Sequence, residues 1–170
     1  MDSDDLVFEA ELTASIRVVT ILVWAVVVGM SAWLAWQGLT RGPRGIIALG
    51  ALIPIVLAVT WAFRPSAYRI ARDGFAVDRP IGPFKIEFGA IAAVSPDPDL
   101  MRFPTIRVFG SGGFHGVYGR FWRKGLGAFS SYVTDPAKTV RIDRHAGVPV
   151  AVSPTNPEAF VEALRARLSH

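Results

Sequence analysis

The run FGSGGFHGVYGRFWRKGLG, Phe109 to Gly127, gathers more chemistry-bearing residue types than any other part of this 170-residue chain. Glycine-rich loops bind phosphate where a strand turns into a helix, because backbone N–H groups then converge on the anion. Here Gly110, Gly112, Gly113, Gly116 and Gly119 run on into aromatic and basic residues in strand rhythm, with no Gly-Lys-Ser/Thr. Ser111 sits in GSGG and does not form a nucleophile elbow between strand and helix. His115 has no second histidine at metal spacing, since His145 and His170 lie in a turn and at the terminus. Asp97 and Asp99 alternate with prolines, as in an exposed loop. No nucleophile–base–orienter set is visible, so the expectation is a non-enzyme with no catalytic residue, no metal site and no cofactor.

Glycine within strands marks a bulge, a sharp bend or a close backbone approach, and bending the strands is the role expected of these five. The segment RFWRK remains, with Arg120, Arg123 and Lys124 around Phe121 and Trp122. Beside a bilayer such a basic-aromatic cluster could hold anionic headgroups, each cation contributing about 1 kcal/mol. The plainer reading is a solvated hairpin tip. From Arg64 onward there are fifteen Lys and Arg against nine acids but no nucleic-acid motif, so a nucleic-acid partner is not expected.

The elements that must position these residues fall into two regimes. No ionisable residue occurs from Val18 to Thr40 or from Gly45 to Phe63. Each run approaches the roughly 20 residues that cross a hydrocarbon core. Residues 1–16 hold five acids and no base, unlike the basic start of a signal peptide. The pattern predicts an acidic segment over 1–16 and a transmembrane helical hairpin over 17–64, its helices near 18–39 and 45–63. Trp33, Trp36 and Trp61 are expected as interfacial anchors, and Ala25 with Gly29 as a close-contact pair. Arg17, Arg64, Arg69 and Arg72 outnumber Arg41 and Arg44 of the connector, which leans towards both termini in the cytoplasm. The absence of cysteine excludes disulfides and thiolate metal sites.

From residue 65 to 170 the chain reads as short strands with turn punctuation, including a tight turn at Asp73-Gly74. It ends in an amphipathic helix over 157–168, with Asn156 as N-cap and Phe160, Val161, Leu164 and Leu168 as its apolar stripe. The segments YRIARDGFAVDRPIGPFKIEF, RVFGSGGFHGVYGRF, LGAFSSYVTD and VAVSPTNPEAFVEALRARL together resemble the bacterial pleckstrin-homology-like (bacterial PH) domain family, found in membrane proteins. The resemblance implies a mainly β, strongly bent antiparallel barrel closed by the C-terminal helix, and a docking role with no reaction. Eukaryotic relatives of this fold bind phosphoinositides through basic residues on the loop joining the first two strands; here that loop is only RDG, so the motif does not carry over. The expected function is a bacterial inner-membrane module that binds a protein partner or itself. The alternative is recognition of anionic lipid by Arg120, Arg123 and Lys124.

Overall fold

The structure, a computed structural model, describes residues 5–40, 42–43 and 45–168. Asp2, Asp4, Arg41, Arg44 and His170 lie outside the described residues, so the connector's part in the sidedness argument does too.

Helix α1 (Ala14–Thr40) has 27 residues and a mean hydropathy of 2.3 over its most apolar stretch, long and apolar enough to cross a membrane. Helix α2 (Gly45–Ala62) is as apolar but has only 18 residues, with Pro54 inside it. Gly38 packs on Ile47, and Gly50 on Ser31 and Leu34, so the two helices run in opposite directions. By this register α1 extends beyond the end of α2 by about two turns. That extension carries Ile16 and Thr20, which are buried. Most other apolar side chains of both helices stay exposed, among them Val18, Ile21, Val26, Leu49, Leu52 and Val59.

The remainder forms two sheets. The first has the order β1-β2-β3-β4, from β1 (Leu6–Glu9), β2 (Ala67–Ile70), β3 (Gly74–Asp78) and β4 (Phe84–Glu87), all antiparallel. The second has the order β5-β9-β10-β8-β7-β6. Its strands are β5 (Ile91–Pro96), β6 (Ile106–Gly112), β7 (Val117–Arg123), β8 (Gly127–Val133), β9 (Val140–Arg144) and β10 (Val150–Val152). Two expectations are corrected here. The sheets do not close into a barrel, and the fold is not wholly antiparallel, because β10 pairs with β8 in parallel. The β9–β10 hairpin folds back so that its second strand enters between β9 and β8.

The acidic segment also supplies a strand that its charge obscured: Leu6–Glu9 pairs with Ala67–Ile70. The turn between β2 and β3 closes with the Ala71 N–H donating to Gly74 O at 2.9 Å, so Arg72 and Asp73 form its corner. Gly74 already belongs to β3. A Cβ there would lie 2.3 Å from the Ile86 carbonyl oxygen, so close approach to β4 requires glycine.

Helix α3 (Pro157–Leu168) starts where the sequence places it, with Asn156 Oδ1 accepting from the Ala159 N–H at 3.1 Å. Phe160, Val161 and Leu164 are buried between the two sheets. Phe160 meets Phe8, Phe75 and Tyr68 edge-on at 5.3, 5.6 and 6.4 Å. A smaller cluster of Leu100, Phe121, Phe129, Val133 and Ala151 fills the opposite face of the second sheet, under the loop between β5 and β6.

Candidate functional site

The glycine-rich stretch is the β6–β7 hairpin, and its tip docks on the helices. Ser111 Oγ donates to Phe114 O at 2.6 Å and accepts from the Phe114 N–H at 3.2 Å, which curls the tip. His115 then adopts a left-handed backbone, φ 57°. Its N–H donates to Thr20 Oγ1 at 3.1 Å, and its Nε2 accepts from the Trp24 indole at 3.2 Å. Burial, and then the charge of Arg64, push the His115 pKa down. Two residues beyond the tip, the Tyr118 hydroxyl donates to Thr60 O near the end of α2 at 2.6 Å. The Ile81 N–H from the β3–β4 loop donates to Ala62 O at 2.9 Å.

Within the ladder Gly110 and Gly119 stand opposite one another. Both have positive φ, 116° and 127°, and a Cβ on either would lie 2.2 Å from a carbonyl oxygen of the other strand. These two glycines permit close backbone approach.

The expected cation cluster divides. Along β7 the side chains alternate, so Tyr118, Arg120 and Trp122 share one face while Phe121 and Arg123 occupy the other. The Arg123 guanidinium donates to the Asp99 carbonyl, and Lys124 stands exposed in the turn. Arg120 is exposed on the first face. Two other cations approach this face, Arg79 beside Tyr132 and Arg64 beside Tyr118. Arg79 lies over the Tyr132 and Phe84 rings at 5.6 and 6.0 Å, and Arg64 over the Trp61 ring at 5.1 Å. Burial pushes the Tyr132 pKa up, opposed by the charges of Arg79 and Arg120. Sequence reasoning missed Arg64 and Arg79 beside this face, because the packing of Phe84 on Tyr132 and the bond from Tyr118 to the end of α2 bring them there from distant segments. Trp33 and Trp36 are exposed towards the connector end of α1, and Trp61 at the domain end of α2.

The face bearing Arg120 is the same face that points Val150, Val152, Val140 and Ile142 into the core. The first sheet covers it as far as Tyr132, on which Phe84 stacks at 5.2 Å. Over β7 and β6 it continues uncovered, with Ile106, Phe109 and Trp122 exposed at 55%, 79% and 41%.

The segments YVTD and SPTNPEAF, both within the stretches that carry the family resemblance, meet in the interior. Ser153 Oγ accepts from the Thr134 and Asp135 N–H groups at 2.7 and 3.0 Å, while the Tyr68 hydroxyl donates to Tyr132 O at 2.6 Å. They hold the chain's own backbone, which gives them a structural role. A groove of about 780 Å³ over the first sheet is lined by Arg69, Arg72, Lys85, Asp5, Asp73, Asp78 and Glu87 among others. Its charges partly cancel, with Arg69 paired to Asp78 at 2.5 Å and near Asp5 at 3.9 Å. Among the described residues no group of three or more His, Asp or Glu gathers as a metal site.

Comparison with known proteins gives one match. No curated protein and no solved structure matches the chain. Residues 66–168 match the bacterial PH domain, from just before β2 to the last turn of α3, and leave β1, α1 and α2 outside. PH-like domains are generally non-catalytic binding modules. With more than half of its length matched, the chain belongs to the bacterial PH domain family.

Proposed function

We propose that this chain is a membrane-anchored, non-enzymatic binding or scaffolding module. In this reading α1 and α2 both cross the bacterial inner membrane, and the PH-like domain engages a protein partner or a second copy beside it. The observation that carries the reading is the apolar surface of α1 and α2, exposed around the helices and bonded directly to the domain through His115 and Tyr118. Left in water, each square ångström of such surface costs about 25 cal/mol, whereas a bilayer covers it. At 1.5 Å per residue α1 spans about 40 Å and α2 about 27 Å, against a hydrocarbon core of about 30 Å. Slight local thinning accommodates the shorter helix. Arg17, Arg64, Arg69 and Arg72 flank the domain end, which favours the cytoplasmic side. Tethering raises the effective concentration of any partner held at the same surface, so a weak docking face suffices.

The chain has no cysteine, so single-cysteine reporters are unambiguous. The full chain should stay in the membrane fraction after alkaline carbonate extraction. A Lys138→Cys reporter should react with a membrane-impermeant maleimide only after cells are permeabilised. Extraction into the supernatant overturns the anchor, and labelling of intact cells overturns the sidedness. Energy transfer between labelled copies at high lipid-to-protein ratio separates self-association from binding of another protein.

A further inference from the structure

We infer that the uncovered face of β6 and β7 is a second membrane contact, a bed for an anionic phospholipid surface built from Ile106, Phe109 and Trp122 with Arg120, Arg79 and Arg64. The inference rests on the anchor reading above and adds a lipid-facing surface to the domain itself.

Three observations carry it. The first is continuity. Ser111 pairs with Tyr118, whose hydroxyl holds the end of α2, and Phe109 pairs with Arg120 one step along the same ladder. Ile106 pairs with Trp122 one step further. At about 3.4 Å per residue the open face therefore starts about 7 Å from the helix contact and continues for about another 7 Å. The bulge between Arg107 and Phe109 keeps Ile106 and Phe109 on one face although they are three residues apart.

The second is chemistry. Aromatic and aliphatic tips ringed by arginine suit the boundary between headgroups and acyl chains, where an indole or guanidinium keeps one end wet. Trp122 and Arg120 stand on one strand two residues apart, and Phe109 beside them is 79% exposed, a degree exceeded among the described phenylalanines by Phe103 of the β5–β6 loop at 94%.

The third is charge. On this face strands β6, β7 and β8 present Arg120 and no acidic residue, while Arg107 and Arg123 lie on the other face. Among the described residues no carboxylate pairs with Arg64, Arg79 or Arg120, whereas Arg69, Arg102 and Arg141 all have carboxylate partners. A protein partner would have to supply acids across this face. The anionic leaflet supplies them wherever the helices place it.

The test uses the full chain in nanodiscs of neutral or mixed neutral and anionic phospholipid, with a fluorophore at one introduced cysteine. Phe109→Cys reports on the face and Leu52→Cys on the anchor, while Asp73→Cys lies at the far end of β2 from the helices. Lipids with a shallow spin label should quench the Phe109→Cys reporter in anionic discs, more than in neutral discs and far more than the Asp73→Cys reporter. Adding Arg120→Glu and Arg79→Glu should lose that excess, while quenching at Leu52→Cys by deeply labelled lipids is unchanged. Leu52→Cys quenched with Phe109→Cys unquenched overturns this inference and leaves the anchor standing. Leu52→Cys unquenched overturns the anchor itself. A Phe109→Cys reporter shielded from lipid and from aqueous quencher alike, with energy transfer between copies, assigns the face to a second copy and also overturns the inference.

Discussion

The indole N–H of Trp24 on α1 meets Nε2 of His115 at 3.2 Å, across 91 residues of sequence. It is a side-chain hydrogen bond between the long helix and the β-domain, beside the Thr20 hydroxyl that accepts from the His115 backbone.

This contact should be pH-dependent. Only neutral imidazole can accept from Trp24, and burial followed by Arg64 hold the His115 pKa below its ordinary value. The docked state therefore binds fewer protons than the undocked one. Docking should be complete above about pH 6.5, the ordinary histidine range, and weaken progressively as pH falls through it. Hydrogen exchange of residues 113–117 at pH 7.5 and 5.5 should show faster exchange at the lower pH, after correction for intrinsic rates. His115→Asn keeps a side chain tolerant of the left-handed backbone and should flatten the dependence.

Gly110→Ala or Gly119→Ala should destabilise the domain by about 2–4 kcal/mol, from positive φ together with overlap onto the facing strand. Gly125→Ala, where a Cβ would meet nothing within 4 Å, should cost only the conformational part. Thermal unfolding of the three variants in the same detergent would rank them.

Replacing Ser153 with alanine removes the acceptor for two backbone N–H groups, Thr134 and Asp135, at a position 1% exposed. A loss of about 2–3 kcal/mol is expected, because each buried N–H left unpaired costs about 1–3 kcal/mol and some relaxation will occur. Tyr68→Phe keeps the ring and loses one hydrogen bond, so its cost should be near 1 kcal/mol. A chemical denaturation series would separate the two.

Phe160→Ala should cost about 3–5 kcal/mol, the range for a fully buried phenylalanine, and Phe8→Ala less, since Phe8 is only partly buried. Neither should release the chain from membranes, because the anchor surface is untouched. Loss of domain folding by circular dichroism with unchanged membrane retention would separate the two parts of the molecule.

Much of the architecture was legible because local chemistry and final structure agree. The Asn156–Pro157 cap and the Phe160–Leu164 stripe define α3 without tertiary information, and the ion-free runs define two apolar helices. The strand glycines point to bent strands, whereas the close approach at Gly110 and Gly119 emerges only with the β6–β7 pairing. What stayed hidden depends on pairing between distant segments. Four residues of β1 sit in an acidic run with no turn signal, and only β2 makes them a strand. The parallel entry of β10 beside β8 is a property of sheet order, which hairpin logic cannot reveal. RFWRK read as one cluster because its residues are consecutive, yet strand alternation turns Arg120 and Arg123 apart and brings Arg79 nearer to Arg120's face. Trp24 looked like one more apolar residue, and only the hairpin tip gives its indole a partner.

The pairing of β1 with β2 has a consequence for biogenesis. These strands flank the two helices in sequence, so the ribosome completes β1 before α1 and must finish both helices before β2 exists. Until then Leu6–Glu9 has no partner and Phe8 nothing to pack on. The sheet's outer strand is thus added last although it is synthesised first, and it can be added only if the amino-terminal segment stays on the side where the domain folds. A chain in which only one of the two helices crossed would separate this strand from the domain and leave the edge of β2 open, so the pairing ties both ends of the helix pair to one side of the membrane, whichever side that is.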